Sequence, residues 1–538
     1  MAMVRGGFVD PRVLQDRLFA ALSTMFAGEV PLYGGALAVN EACNAAACRL
    51  LAARFPGLRA GVAPAALGAE RHGAIRIGRP DEYRQVGRLF ACFAMEPHGF
   101  YDMTSVGAKR QPIIATAFRS RRRPEHRMFC SLLVTDGFSA DVRRRIEEAL
   151  APRDVLGDEA RRLLDRHDRN GGLDADEGAA LVGECVGRIF AWTGRGGPHE
   201  LYRDLVAADM RIAADIACFP SHHLNHLAFN SLAIDLFTAA MRRCLAERDD
   251  AWFRARAGAV LAGLADRTDA ALVRLLLPGV PAALPTGEAV PAAVVEGIAA
   301  DLADRLGTEP FALHRLPHTG FKESTEGPPA DVPVLLRQDS YRALTEPVSF
   351  GLLAGGTVAG SHTARFGEVE QRGYACSLQG RALYDDCLAR GSDGAAFAPL
   401  GRSADELFAR GQIVGRYRPT AAGLAARAAG ARLTGDLEVL LAAGLVSREP
   451  LRYEDFLPVS AAGIFASNLR QVAGSAATAP AAARTRGELE TILGRTIIDP
   501  VAADTETEAA SIRETLERLG IASADRHDHP GRDLHAPA

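Results

Sequence analysis

A chain of 538 residues with 48% apolar and 24% charged side chains and a mean hydropathy near zero has ample material for a buried core, which sets disordered and membrane-embedded classes aside. The formal charge of −4 is small for this length, and the arginine runs Arg121–Arg123 and Arg143–Arg145 are short and followed by acids, so no nucleic acid is expected as a partner. Nine scattered cysteines without a C-x-x-C pair give neither a zinc knuckle nor a disulfide scaffold and fit a reducing cytoplasm.

The first residues lack a charged stretch followed by an apolar one, and no window reaches about 18 uninterrupted apolar residues, so neither targeting nor a membrane is expected. From Asp10 to Phe55 the apolar spacing predicts two helices separated near Val30-Pro31-Leu32-Tyr33. Gly73 to Gly78 is a short β-branched alternation bounded by glycines and reads as a strand, as does Ile113 to Val134. Ala140 to Ala217 is helical in composition. Within it, Asp168-Arg169-Asn170-Gly171-Gly172-Leu173 resembles a calcium loop but places leucine where the turn needs glycine; a helix ending at Gly171-Gly172 explains it better. Met241 to Leu306 reads as a helical insertion broken by Pro278, Pro281, Pro285 and Pro291. Strand patterns return at Val332–Leu336 and His362–Ala375, followed by a helix at Gly380–Ala389. An alanine-rich linker at 473–483, a helical segment at 484–522 and a disordered tail at 523–538 close the chain.

Three contexts could carry chemistry. On a strand, His72 and Arg76 share a face, roughly 13 Å apart along the backbone. His222, His223 and His226 stand within five residues, and on a strand His222 and His226 would share a face. Glu368, Glu370 and Arg372 also share one strand face, which is awkward to bury unless a cation balances the carboxylates. Two histidines and one carboxylate form a facial triad that leaves coordination positions open for oxygen and a chelating substrate on iron(II), although hydrolytic zinc sites use the same ligand types.

Taken together, the blocks Arg71–Arg76 (RHGAIR), His223–Leu227 (HLNHL), Glu326–Pro329 (EGPP), Leu335–Gln338 (LLRQ), Thr363–Gly373 (TARFGEVEQRG) and Tyr453–Phe465 (YEDFLPVSAAGIF) resemble the signature of the 2-oxoadipate dioxygenase/decarboxylase family, in its order. The resemblance implies an α+β fold, a single catalytic domain over 10–472 with a vicinal-oxygen-chelate-like β-sheet core and helical insertions. It implies Fe(2+) held by His72, His226 and Glu368, with Glu368 preferred to Glu370 because the related hydroxyphenylpyruvate dioxygenases end their ligand strand similarly. Arg76 is implied as the clamp for a substrate's distal carboxylate, with Val459 and Ser460 as backbone and hydroxyl contacts near it. The implied partners are a small-molecule 2-oxo acid and O2, converted from 2-oxoadipate to 2-hydroxyglutarate and CO2; Lys322 and Arg337 are secondary candidates for charge balance. Three departures stand out: Ala228-Phe229-Asn230 where the family usually has Thr-Pro-Arg, Ile113-Ile114-Ala115-Thr116 in place of a more polar stretch, and the 241–306 insertion. They leave two alternatives, the same chemistry on a different 2-oxo acid and a non-catalytic metal- or ligand-binding homologue.

Overall fold

The computed structural model describes residues 7–58, 70–104, 111–121, 124–277, 280–281, 284–317, 327–340, 344–391, 394–457 and 484–521. By the density of its contacts the chain divides into two compact units, one of residues 1–327, 336–372 and 454–499, the other of 328–335, 373–453 and 500–538. The sequence pattern draws no division inside 10–472. None of the helices among the described residues is long and apolar enough to cross a membrane.

The first unit is built on a nine-stranded mixed sheet. Its strands are β1 Arg71–Ile77, β2 Glu96–Asp102, β3 Ile113–Arg119, β4 His126–Leu133, β5 Arg195–Pro198, β6 His226–Asn230, β7 Leu336–Ser340, β8 Leu344–Gly351 and β9 Thr357–Arg372. They run in the order β2-β3-β4-β1-β6-β9-β8-β5, with β7 paired to β9. The long β9 is shared: residues 357–365 pair with β8, and 366–372 lie between β6 and β7.

Side-chain alternation explains why the sheet carries two different faces. Ile75, Ile77, Leu227, Phe229 and Val369 face a large apolar core made with the helices Pro11–Glu29 and Pro31–Arg54. The residues between them, among them Ala74, Ala115, Ala117 and Phe129, face a second core that contains Ile212, Ala213 and Ile216 of the helix Arg211–Ala217, and Phe456. Polar residues on strand positions that alternate with the first core are thus aimed at the second. This is the expected α+β arrangement, a β-sheet core with helical insertions.

Local signals set the helix ends. Asp10 accepts from the Arg12 amide and caps the first helix, and Val30, whose backbone leaves the helical region at φ −123 and ψ 85, separates it from the second. At the sequence that resembled a calcium loop, Gly171 adopts φ 76 to end the helix Gly157–Asn170, and Asp174 with Glu177 forms a capping box for Ala175–Glu184. Asp174 and Glu177 are thus helix caps, while Asp168 accepts from Arg88. The stretch 241–306 contains the end of Ile234–Cys244 and the helices Asp250–Arg267, Ala270–Leu276 and Ala292–Leu306, with Pro281 and Pro285 in the connection before the last. All nine cysteines are buried and free.

In the second unit, β10 Gly415–Pro419 and β11 Val446–Pro450 form an antiparallel ribbon. The helix Pro500–Arg518 packs on it, with Glu508 and Ser511 accepting from the Gly415 and Tyr417 amides. Tyr417, Leu440, Val446, Leu516 and Leu519 make its core.

Candidate metal centre

Three strands bring the candidate ligands together. Across the sheet, His72 on β1 is in register with Ala228 on β6, and Ala228 with Glu368 on β9. His226 precedes Ala228 by two residues and so shares its face. A methyl group between the outer ligands cannot fill the gap, and the polar atoms converge over it. Nε2 of His72 lies 3.1 Å, and Nε2 of His226 3.3 Å, from Oε2 of Glu368. One donor atom from each of the three residues lies within 4.8 Å of the others, and all three are buried.

Glu368 and Glu370 occupy the same strand face but carry different electrostatics. Arg372 donates to both oxygens of Glu370 at 2.8 and 3.0 Å, and Nδ1 of His72 lies 2.8 Å from Glu370 Oε2. Burial opposes charge on Glu370, yet Arg372 and His72 hold its carboxyl down at about 2. Glu368 instead meets the two imidazoles and the Gln338 amide, which donates at 2.6 Å. Burial pushes its carboxyl up to about 7 against the pull of His72, and its buried Oε1 makes no hydrogen bond. An acceptor without a donor in a dry site is costly unless a cation takes that place. His226, stripped of water by burial and facing His72 and Arg76, is held well below the usual histidine range and is therefore neutral, the form a metal ligand needs. Burial opposes charge on His72, but the Glu370 and Glu368 carboxylates beside its ring raise its pKa above the ordinary histidine value, so a cation at Nε2 would bind in place of that proton. Two buried imidazoles and one carboxylate lacking its own arginine fit a divalent ion.

The wall around the group is apolar and aromatic. His72 meets Phe456 edge-on at 4.9 Å, and Phe456 packs on Phe129 at 5.5 Å. Beyond it runs a buried charged layer. Arg127 pairs with Glu70 at 2.8 Å and with Glu454, and Arg119 donates to both oxygens of Asp455 at 2.9 and 3.1 Å.

A second buried group lies on the side of Arg76. Oδ1 of Asp215 is 2.8 Å from Nε2 of His362 and 3.1 Å from Nε2 of His223. Its Oδ2 accepts from Arg76 Nη1 at 2.5 Å and from Asn225 at 3.1 Å. His222 and His223 are not on the strand: β6 begins at His226, because the amides of His222 and Leu224 are bonded to the carbonyls of Ile189 and Phe190, and that of Asn225 to Ala74. The expected shared strand face of His222 and His226 therefore does not form.

The other sequence candidates divide. Arg337 pairs with Asp235 at 2.9 and 3.0 Å, without contact to the ligand group. Val459, Ser460 and Lys322 lie outside the described residues. Sequence reasoning missed Gln338 as a carboxylate partner, although it lies in the LLRQ stretch, weighed His223 only alongside His222 and His226 for metal ligation, and missed Asp215 and His362 altogether. Gln338→Ala should weaken metal retention about ten- to a hundredfold by freeing the Glu368 carboxylate, measured by metal content after stepwise chelator dialysis.

The family profile described as 2-oxoadipate dioxygenase/decarboxylase matches residues 18–250 and 312–468. The chain belongs to the 2-oxoadipate dioxygenase/decarboxylase family. It is 32% identical to the 2-oxoadipate dioxygenase/decarboxylase of Pseudomonas putida over 97% of this chain and all of that protein. The relative of the same name from Escherichia coli is 31% identical over 85% of this chain and 88% of its own. The crystal structure of the hydroxyglutarate synthase from Pseudomonas putida in complex with 2-oxoadipate is similar in fold, with a TM-score of 0.66 at 28% identity, covering 96% of this chain and all of that one. The family match passes over 251–311, most of the stretch that the sequence had set apart as an insertion.

Proposed function

We propose that this member of the 2-oxoadipate dioxygenase/decarboxylase family holds Fe(2+) between His72, His226 and Glu368 and converts 2-oxoadipate and O2 to 2-hydroxyglutarate and CO2. The atoms balance without a reductant or second co-substrate. The observation that supports this reading most strongly is the buried 2-His-1-carboxylate group, with Arg76 four residues beyond His72 on the same strand face. Bound there, iron(II) would supply the oxygen chemistry at open coordination positions.

The chain's own residues do the rest. Arg76 commits one nitrogen to Asp215, and its remaining donors can take a distal carboxylate, while the 2-oxo end lies toward the ligand group. A separation of roughly 13 Å along the strand suits a short diacid lying between the two. Phe456 and Phe129 exclude water from the reacting end. Val459 and Ser460 are assigned by resemblance as backbone and hydroxyl contacts near the distal carboxylate.

A different 2-oxo acid is the second reading, favoured by Ala228 and by the buried Asn230 amide, which makes no hydrogen bond, on the ligand side of β6. Oxygen uptake by protein loaded anaerobically with iron(II) separates the two. 2-Oxoadipate should be turned over fastest of a panel of 2-oxo acids. Faster turnover of another acid would reassign the substrate, and no uptake with any acid would leave a binding protein.

A further inference from the structure

The Asp215 cluster has the composition of a second metal site, two histidines and a carboxylate, all buried. Its surroundings argue for a different role. A guanidinium nitrogen of Arg76 already lies 2.5 Å from Oδ2, so the carboxylate has its counter-ion. A divalent ion on Oδ1 would place a further positive charge beside that arginine, away from water, where like charges repel most strongly.

The remaining contacts are those of a rigid mount. Asp215 receives Arg76 and Asn225 on one oxygen and His223 and His362 on the other. The four donors come from three places in the fold: Arg76 from β1, His362 from β9, and His223 and Asn225 from the segment leading into β6. His362 is itself fixed, with the Tyr202 hydroxyl 3.0 Å from Nδ1 and the rings of Phe219 and Trp192 at 4.6 and 5.9 Å. Trp192 and Phe219 also hold His223 edge-on at 4.8 and 5.5 Å. An arginine side chain otherwise has many rotamers to choose from, and such a mount removes that freedom before any ligand arrives.

We infer that Asp215, held by His223, His362 and Asn225, is a positioning residue that fixes the Arg76 guanidinium for recognition of a diacid. The inference rests on the reading of Arg76 as the distal-carboxylate clamp. It assigns substrate selectivity to a carboxylate and two histidines that never touch the substrate.

The test compares oxygen uptake on 2-oxoadipate and on the unbranched 2-oxo monoacid of the same length, with iron content per chain, for the iron-loaded full-length protein and its variants. Asp215→Asn keeps the shape and removes the charge. It should raise KM for the diacid about ten- to a hundredfold, the cost of a misplaced binding group, with far less change for the monoacid and unchanged iron. His362→Gln, which retains an N–H donor, should lose less selectivity than His362→Phe, and it carries the test if Asp215→Asn does not fold. In an Arg76→Ala background, Asp215→Asn should change the diacid-to-monoacid ratio no further. Equal losses on both substrates, or an unchanged or lower KM for the diacid, would overturn the inference. So would iron falling from two per chain to one, which would make the cluster a metal site. The clamp itself fails separately: Arg76→Ala alone would then affect both substrates equally.

Discussion

Glu368→Ala should strip iron from the protein and abolish oxygen uptake while the chain remains folded. Residues that only hydrogen-bond a metal's ligands are worth about ten- to a hundredfold in affinity, so loss of the proposed carboxylate ligand itself should exceed that range. Removing Glu368 also removes a buried acid whose charge burial disfavours, so the metal-free variant should melt no lower than the metal-free parent. Glu370→Gln should behave differently. Its carboxylate accepts from Arg372 and lies beside Nδ1 of His72, so the variant should retain iron at reduced affinity, about ten- to a hundredfold, and lose stability because Arg372 loses the carboxylate that takes two of its hydrogen bonds. Iron content after gel filtration and thermal melts of the metal-free proteins decide the matter. If Glu368→Ala keeps iron and activity while Glu370→Gln does not, the two glutamates have been assigned in reverse.

Arg76→Ala should impair 2-oxoadipate turnover by roughly thirty- to several-thousandfold in kcat/KM, the equivalent of losing about 2 to 5 kcal/mol from a buried charge-assisted pair. Iron content should not change, because no ligand is lost. A 2-oxo monoacid has no distal charge to lose and should suffer far less. Arg76→Lys should recover only part of the loss: a lysine that meets Asp215 has a point ammonium, not a planar fork with donors left over for a second carboxylate. Steady-state oxygen uptake on the two substrates reads the result, and equal losses would remove Arg76 from the pocket.

What the sequence revealed follows a physical pattern. Strand β1 was legible because glycines bound a β-branched run, and the shared face of His72 and Arg76 follows from a period of two. The alternation of Glu368, Glu370 and Arg372 was equally readable, and its burial is what the three charges leave to be explained. The start of β6 was not legible, since the bonds that hold His222 to Asn225 in an extended segment come from Ile189, Phe190 and Ala74, distant in sequence. Nor was Asp215. It sits in Ile212-Ala213-Ala214-Asp215-Ile216-Ala217, where a lone acid in an apolar helix was the available signal, but its four donors come from three other segments. The division into two units also escaped the sequence, because residues 373–453 and 500–521 meet through long-range pairing of β10, β11 and the last helix.

The most direct test follows the oxygen atoms. Protein loaded with iron(II), given 2-oxoadipate and isotopically labelled O2, should form one 2-hydroxyglutarate and one CO2 per O2 consumed. If C1 leaves with its own two oxygens, both labelled atoms must appear in the 2-hydroxyglutarate, read by mass spectrometry, and the His226→Ala protein treated in the same way should form none. Consumption of 2-oxoadipate without oxygen uptake, unlabelled product, or undiminished labelling with His226→Ala would contradict dioxygenase chemistry at the His72, His226 and Glu368 centre.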